Sequence, residues 1–177
     1  MIGSHRIILE MRGKYKYDFV IHRNITIISG NSASGKTSLV EGIRQASQGV
    51  KGYFLSCDVP CKTIDATSEL DEFLYQVRKR RKEECIAFMD EDCGDYYCTK
   101  EFASLVNGAK CYFVIIGREA LKELPYSIKE IYSLEEVGKY PQMKGVFNTL
   151  KQGNKSVDFK VNPDILVIEG QGSDCDV

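Results

Sequence analysis

The chain has 177 residues, 43% of them hydrophobic and 28% charged; 24 basic side chains nearly cancel 25 acidic ones, leaving a net charge of −1. That length supports one domain with a buried core, and the composition excludes a disordered tail and a globally basic nucleic-acid binder. No apolar run reaches the roughly 20 residues that span a bilayer, and Met1 to Arg6 lacks the apolar core of an export signal, so a cytoplasmic protein with reduced cysteines and no membrane partner is expected.

The chain opens on strand-like segments. Residues 6–11 lead into a turn at Arg12-Gly13-Lys14, after which Tyr15, Tyr17, Phe19 and Ile21 alternate with Lys16, Asp18 and Val20. Period two on one buried face predicts an antiparallel hairpin. Ile25 to Ser29 is short, β-branched and nearly without alternation, as in a strand apolar on both faces. A glycine-rich loop covers Gly30 to Gly35, and Leu39, Val40 and Ile43 predict a helix from Lys36 to about Ser47.

Residues 51–57 read as the next strand, 58–68 as a loop, and 68–81 as a helix with Leu70, Phe73, Leu74 and Val77 in one stripe. Cys85 to Met89 is a buried strand ending in Asp90-Glu91-Asp92, residues 99–106 a short helix, and Cys111 to Ile116 another buried strand closed by Gly117. One or two helical turns over 118–124, a strand nearer an edge over 128–134, an ambiguous segment over 140–150 and a last strand over 164–169 complete the pattern. Alternating strands and helices predict an α/β sandwich on a mostly parallel sheet. Residues 1–150 form the expected domain; 151–177 form a C-terminal extension whose terminal strand belongs to the same domain.

Of seven cysteines (Cys57, Cys61, Cys85, Cys93, Cys98, Cys111 and Cys175), Cys57 and Cys61 come close to the spacing of a zinc-binding pair and Cys93 and Cys98 are slightly looser, so a zinc cluster is the lesser alternative. Scattered reduced thiols are expected, with Cys85 and Cys111 as small buried hydrophobes.

Gly30-Asn31-Ser32-Ala33-Ser34-Gly35-Lys36-Thr37 matches the glycine-x4-glycine-lysine-threonine phosphate loop, with a β-branched strand before it and a helix after it. Backbone N–H groups and a helix N-terminus suit the β- and γ-phosphates of ATP, and glycines permit close approach. Gly30, Asn31, Ser32, Ala33, Ser34, Gly35, Lys36, Thr37 and Ser38 are the candidate nucleotide-binding residues. Lys36 is expected to bridge the terminal phosphates and the Thr37 hydroxyl to face Mg²⁺. Asp90 is the second candidate Mg²⁺ ligand, through water, and Glu91 the candidate general base.

Other candidates lie at predicted strand ends. Asp58 is a surface acid or one that approaches Mg²⁺ or an acceptor substrate. Arg118 is a candidate for stabilising charge on the γ-phosphate, or a surface or partner-facing arginine. Tyr15 and Tyr17 are hairpin packing, or one of them stacks on the adenine. The run Arg78-Lys79-Arg80-Arg81-Lys82 is a solvated helix end or a contact for nucleic-acid phosphates.

Gly30 to Thr37 resembles a Walker A motif, and Cys85 to Glu91 a Walker B motif with its catalytic glutamate. Together with the leading hairpin and the Asn24-Ile25-Thr26-Ile27-Ile28-Ser29-Gly30 entry, they are similar to the ABC-type ATPase heads of the RecF, SMC and overcoming-lysogenization-defect proteins, over roughly residues 5 to 135. The resemblance implies a P-loop NTPase three-layer sandwich and favours Tyr15 as the base-stacking tyrosine. Arg118 stands near the place of the family's switch histidine. Only about fifty residues separate Lys36 from Asp90, so the family's helical subdomain with its serine-glycine-glycine signature has no counterpart. Ile165 to Gly170 resembles the opening strand of a Toprim nuclease domain, but no later acidic motif follows, and a terminal strand of the ATPase sheet is expected instead.

The leading expectation is Mg²⁺-dependent ATP binding and hydrolysis by a switch or motor subunit with a protein partner or a second copy. A small-molecule kinase using Asp58, and a nucleotide-binding scaffold of a larger, nucleic-acid-associated complex, are the alternatives.

Overall fold

A computed structural model describes residues 2–12, 15–29, 34–66, 69–117, 121, 123–137 and 140–145. Strands β1 (Ile2–Met11) and β2 (Tyr15–Arg23) pair antiparallel, with Arg6 opposite Val20 and Met11 opposite Tyr15. Alternation decides their faces: Ile7, Leu9, Tyr17, Phe19 and Ile21 are buried. Arg6–Asp18 and Lys16–Glu10 ion pairs, each at 2.8 Å, bridge the two strands on the other face.

The second sheet is built on β3 (Ile25–Ser29), β5 (Cys61–Ile64), β6 (Ile86–Met89), β7 (Tyr112–Ile116), β8 (Ile131–Val137) and β9 (Tyr140–Gly145), in the order β5-β6-β7-β3-β8-β9. The first five run parallel and β9 returns antiparallel. β6 and β7 are buried along their whole length. Their side chains still alternate between two cores: Ala87, Met89, Phe113 and Ile115 face one, and Ile86, Phe88, Tyr112, Val114 and Ile116 the other. A strand covered on both sides needs apolar residues at every position, which is why these runs show no polar alternation.

Helix α1 (Lys36–Ser47) lies between the two sheets. Leu39, Val40 and Ile43 share one core with Leu9 and Met11 of the antiparallel sheet and with Phe88, Val114 and Ile116 of the parallel one. Gly42 allows that approach: a Cβ there would stand 2.7 Å from Leu9 Cδ2. Helices α2 (Leu70–Arg80), α3 (Gly94–Tyr97) and α4 (Lys100–Val106) cover the opposite face through Phe73, Val77, Tyr97, Phe102 and Val106. The α4 start carries a side-chain cap, with the Thr99 hydroxyl accepting from Phe102 N–H at 3.2 Å. The result is a mixed α/β fold with layers on both faces of a mostly parallel sheet, and the expected hairpin at its N-terminal side.

Several expectations need correction. Residues 58–68 contain a strand, β5, at the edge of the parallel sheet. The segment over 51–57 gives β4 (Tyr53–Ser56), which pairs antiparallel with β1 instead of joining the parallel sheet. Its half-buried Tyr53 and Leu55 alternate with exposed Phe54 and Ser56, the pattern of a one-faced strand. β8 is interior, between β3 and β9, and is preceded by a 3-10 turn at Ile128–Glu130. Residues 146–177, with the expected terminal strand over 164–169, lie outside the described residues. So do most of the turns expected over 118–124.

Cys57, Cys61, Cys85, Cys93, Cys98 and Cys111 are free thiols. Cys85 and Cys111 are buried as expected, and they meet, with Sγ atoms 2.8 Å apart just before the paired strands β6 and β7.

Candidate functional site

Parallel strands bring their carboxyl ends to one edge of the sheet. Ile28 of β3 aligns with Ile116 of β7, Met89 of β6 with Ile115, and Ile64 of β5 with Met89. The residues at those ends are therefore neighbours along that edge: Asp65 after β5, Asp90 after β6, Gly117 after β7 and Ser29 at the end of β3. Gly30, Asn31, Ser32, Ala33 and Arg118, and the side chain of Tyr15, lie outside the described residues. Ser34 to Ser38 are described.

Gly35 stands just before α1 at φ 90° and ψ 6°, a left-handed backbone that glycine adopts without a Cβ clash. Its carbonyl accepts from Leu39 N–H at 2.9 Å, which opens the helix. It also accepts from the Tyr17 hydroxyl at 2.9 Å. The first turn of α1 holds no acidic residue, so its outward N–H groups and positive dipole end meet no side-chain carboxylate from their own turn. Thr37 is exposed and Ser38 half-buried in that turn.

Lys36, the first residue of α1, has a side chain only 6% exposed, and its Nζ lies 3.7 Å from Glu91 Oε1. It also donates to Ser34 Oγ at 3.4 Å. A buried ammonium is costly without anionic or polar partners, and Glu91, 37% exposed, supplies the anion. The two motifs read separately along the chain thus meet as an ion pair.

Asp90 ends β6 and accepts from Glu91 N–H at 2.8 Å, capping the 3-10 turn Glu91–Cys93. Burial pushes its carboxyl above the ordinary value. The neighbouring charges of Asp92 and Glu91 push the same way, while the bond from Glu91 N–H opposes them. Arg44, further along α1, reaches Asp65 Oδ1 at 2.6 Å and Glu41 at 3.4 Å. It also draws the Asp90 carboxyl downward. Tyr97, from α3, donates to the Ile116 carbonyl at 3.4 Å, and a Cβ on Gly117 would stand 2.6 Å from its hydroxyl.

Tyr17, Arg44 and Asp65 make contacts that residue type and spacing along the chain do not indicate. Tyr17 packs in the core of the hairpin face as expected, 1% exposed, and its hydroxyl donates to the Gly35 carbonyl. Arg44 and Asp65 carry a partial signal: a cation two turns along the helix, and an acid that follows the short strand β5.

Asp58 does not belong to this edge. His5 Nδ1 donates to its carboxylate at 2.9 Å and holds that carboxyl below its ordinary range. His5 packs edge-on against Tyr112, the first residue of β7, so the pair marks the amino end of the sheet. The reason is topological: the strand before Asp58 entered the antiparallel sheet. In the basic run, Arg81 donates to Asn107 O at 3.0 Å and ties the end of α2 to the turn after α4, while Arg78, Lys79 and Lys82 are exposed.

Among the described residues no group of three or more His, Cys, Asp or Glu is arranged to hold a metal ion, and no helix is long and apolar enough to cross a membrane. No protein-family model matches this chain, and no curated protein matches it.

Proposed function

We propose that this chain binds ATP with Mg²⁺ and hydrolyses it, as a switch or motor subunit built on a P-loop NTPase core of the RecF, SMC and overcoming-lysogenization-defect kind. One observation carries the reading: Lys36, buried at the start of α1, meets Glu91 at the carboxyl edge of a parallel sheet. A cation at a helix N-terminus and a carboxylate after a separate strand are the two charges that phosphoryl transfer to water needs.

Lys36 and the N–H groups of the first turn of α1 bind the phosphate oxygens. Glu91 leaves Lys36 when phosphate takes its place, and accepts a proton from the attacking water. The water oxygen bonds to the terminal phosphorus, the bond to the bridging oxygen breaks, and ADP and inorganic phosphate leave. The donor chemistry, a hydroxyl and a carboxylate, suits a divalent cation. Thr37 and Asp90 are hard oxygen donors, and Asp90 is a half-buried carboxylate beside two further acids, whose ionised form a cation favours. Mg²⁺ would neutralise charge on the phosphate oxygens. A protein partner or a second copy of the chain would supply what the signature subdomain supplies in the family.

The kinase alternative loses its acceptor-orienting residue, because Asp58 is paired with His5 at the other end of the sheet. The scaffold alternative remains as an outcome of the test. The purified chain, titrated with Mg·ATP and assayed for phosphate release without an acceptor, should bind saturably and release phosphate. Lys36→Ala should abolish both. Binding without release favours the scaffold, and no binding by the parent chain refutes the proposal.

A further inference from the structure

Tyr17 belongs to the antiparallel sheet, yet its hydroxyl reaches across to the loop that precedes α1. The acceptor is the Gly35 carbonyl, which Leu39 N–H also engages, so both bonds fall on one oxygen at 2.9 Å each. The peptide between Gly35 and Lys36 is trans. In a trans peptide the C=O and N–H point in opposite directions. Fixing the Gly35 oxygen inward therefore fixes the Lys36 N–H outward, beyond the start of the helix, where an anion is received.

This fixing matters at Gly35 in particular. At φ 90° the residue occupies a region that suits glycine; Leu39 N–H holds its carbonyl from within the helix, and the Tyr17 hydroxyl adds a second hold from a separate element. Tyr17 is suited to hold it, since it is 1% exposed and set in a paired strand. A donor on a rigid element orients a binding group more sharply than one on a loop.

We propose that Tyr17 is a positioning residue for the phosphate-bearing ligand: it holds the Gly35–Lys36 peptide so that the Lys36 N–H faces the phosphate. This rests on the nucleotide-binding reading above. The Lys36 N–H meets the phosphate alike in the ground and transition states, so its misorientation weakens binding without slowing the chemical step.

The test is Tyr17→Phe in the full chain, with Tyr112→Phe as control. Tyr112 is another buried tyrosine, at the amino end of the sheet. A fluorescent ATP analogue with Mg²⁺, competed with unlabelled ATP, gives Kd; phosphate release at saturation gives turnover. Tyr17→Phe should raise Kd about 3- to 10-fold, the range of one lost hydrogen bond, with saturated turnover within about twofold of the parent. Tyr112→Phe should leave Kd within about twofold. A merely structural role would lower the bound stoichiometry and the melting temperature without moving Kd. An unchanged Kd in Tyr17→Phe, an equal rise in both variants, or a fall in turnover alone overturns the positioning role while the nucleotide reading stands. A parent chain that binds no nucleotide overturns both.

Discussion

Lys36 Nζ stands 3.7 Å from Glu91 Oε1, although the elements that carry them follow strands separated in the sheet by β7. On the proposed reading, a terminal phosphate would engage the cation of this pair and the carboxylate would turn to the attacking water. The two charges face each other in this structure, and the proposed reading has a phosphate oxygen take the place of the Glu91 carboxylate at Lys36.

Glu91→Gln separates binding from chemistry. The amide keeps the shape of the side chain but gives up its charge and its capacity to take a proton. Nucleotide affinity should be retained or improved, because the carboxylate no longer competes for Lys36, and phosphate release should fall about 100-fold or more. Equilibrium binding and a phosphate-release assay on the same preparation check this. Unchanged turnover would remove Glu91 as the base.

Asp90→Asn tests the conflict between stability and function at the end of β6. Burial raises the Asp90 carboxyl above its ordinary value, so its protonated form favours folding. That contribution is present below the unfolded pKa and is lost as pH rises through the folded one. At neutral pH the ionised carboxylate therefore works against the fold, and asparagine keeps an acceptor for Glu91 N–H. The variant should melt about 1–3 °C higher at pH 7, with the gain shrinking toward pH 3. Phosphate release should be lost. A lower melting temperature at pH 7 would show that Asp90 is stabilised there by its neighbours.

Gly42→Ala probes the wedge of α1 between the sheets. Alanine should gain about 1 kcal/mol of helix propensity. Against this, the new Cβ would stand 2.7 Å from Leu9 Cδ2 and 3.0 Å from Met11 Sδ. Overpacking of a buried contact costs about 1–3 kcal/mol, so net destabilisation near 1 kcal/mol is expected in denaturant titration. Combining it with Leu9→Val should cost less than the sum of the two single changes. A stabilised Gly42→Ala would mean that Leu9 and Met11 move aside freely.

Some elements were legible because their signals are local. Period-two alternation in Tyr17, Phe19 and Ile21 marked the buried face of β2, and the apolar runs at 86–89 and 112–116 marked doubly covered strands. β5 is not legible, because four residues, with exposed Lys62 among them, carry too little pattern to outweigh the flanking Pro60 and polar loop. Asp58 is the exposed surface acid expected, and its alternative place beside the ligand falls for a related reason. Ending a strand says nothing about which sheet the strand enters, and β4 entered the antiparallel one.

The sequence by itself determined the alternation of strands and helices, the glycine and lysine of the loop before α1, and the two acids that end β6. These are properties of residue type and spacing within a few positions of one another. Only the tertiary structure decided which of them meet. Sheet order set Glu91 beside Lys36, paired Asp58 with His5 at the far edge, and turned Tyr17 toward Gly35. Such pairings join residues 18 to 55 positions apart, and they form because strands bury apolar faces on both sides of α1 and of the parallel sheet. That packing is a global balance of buried area, which no local pattern encodes.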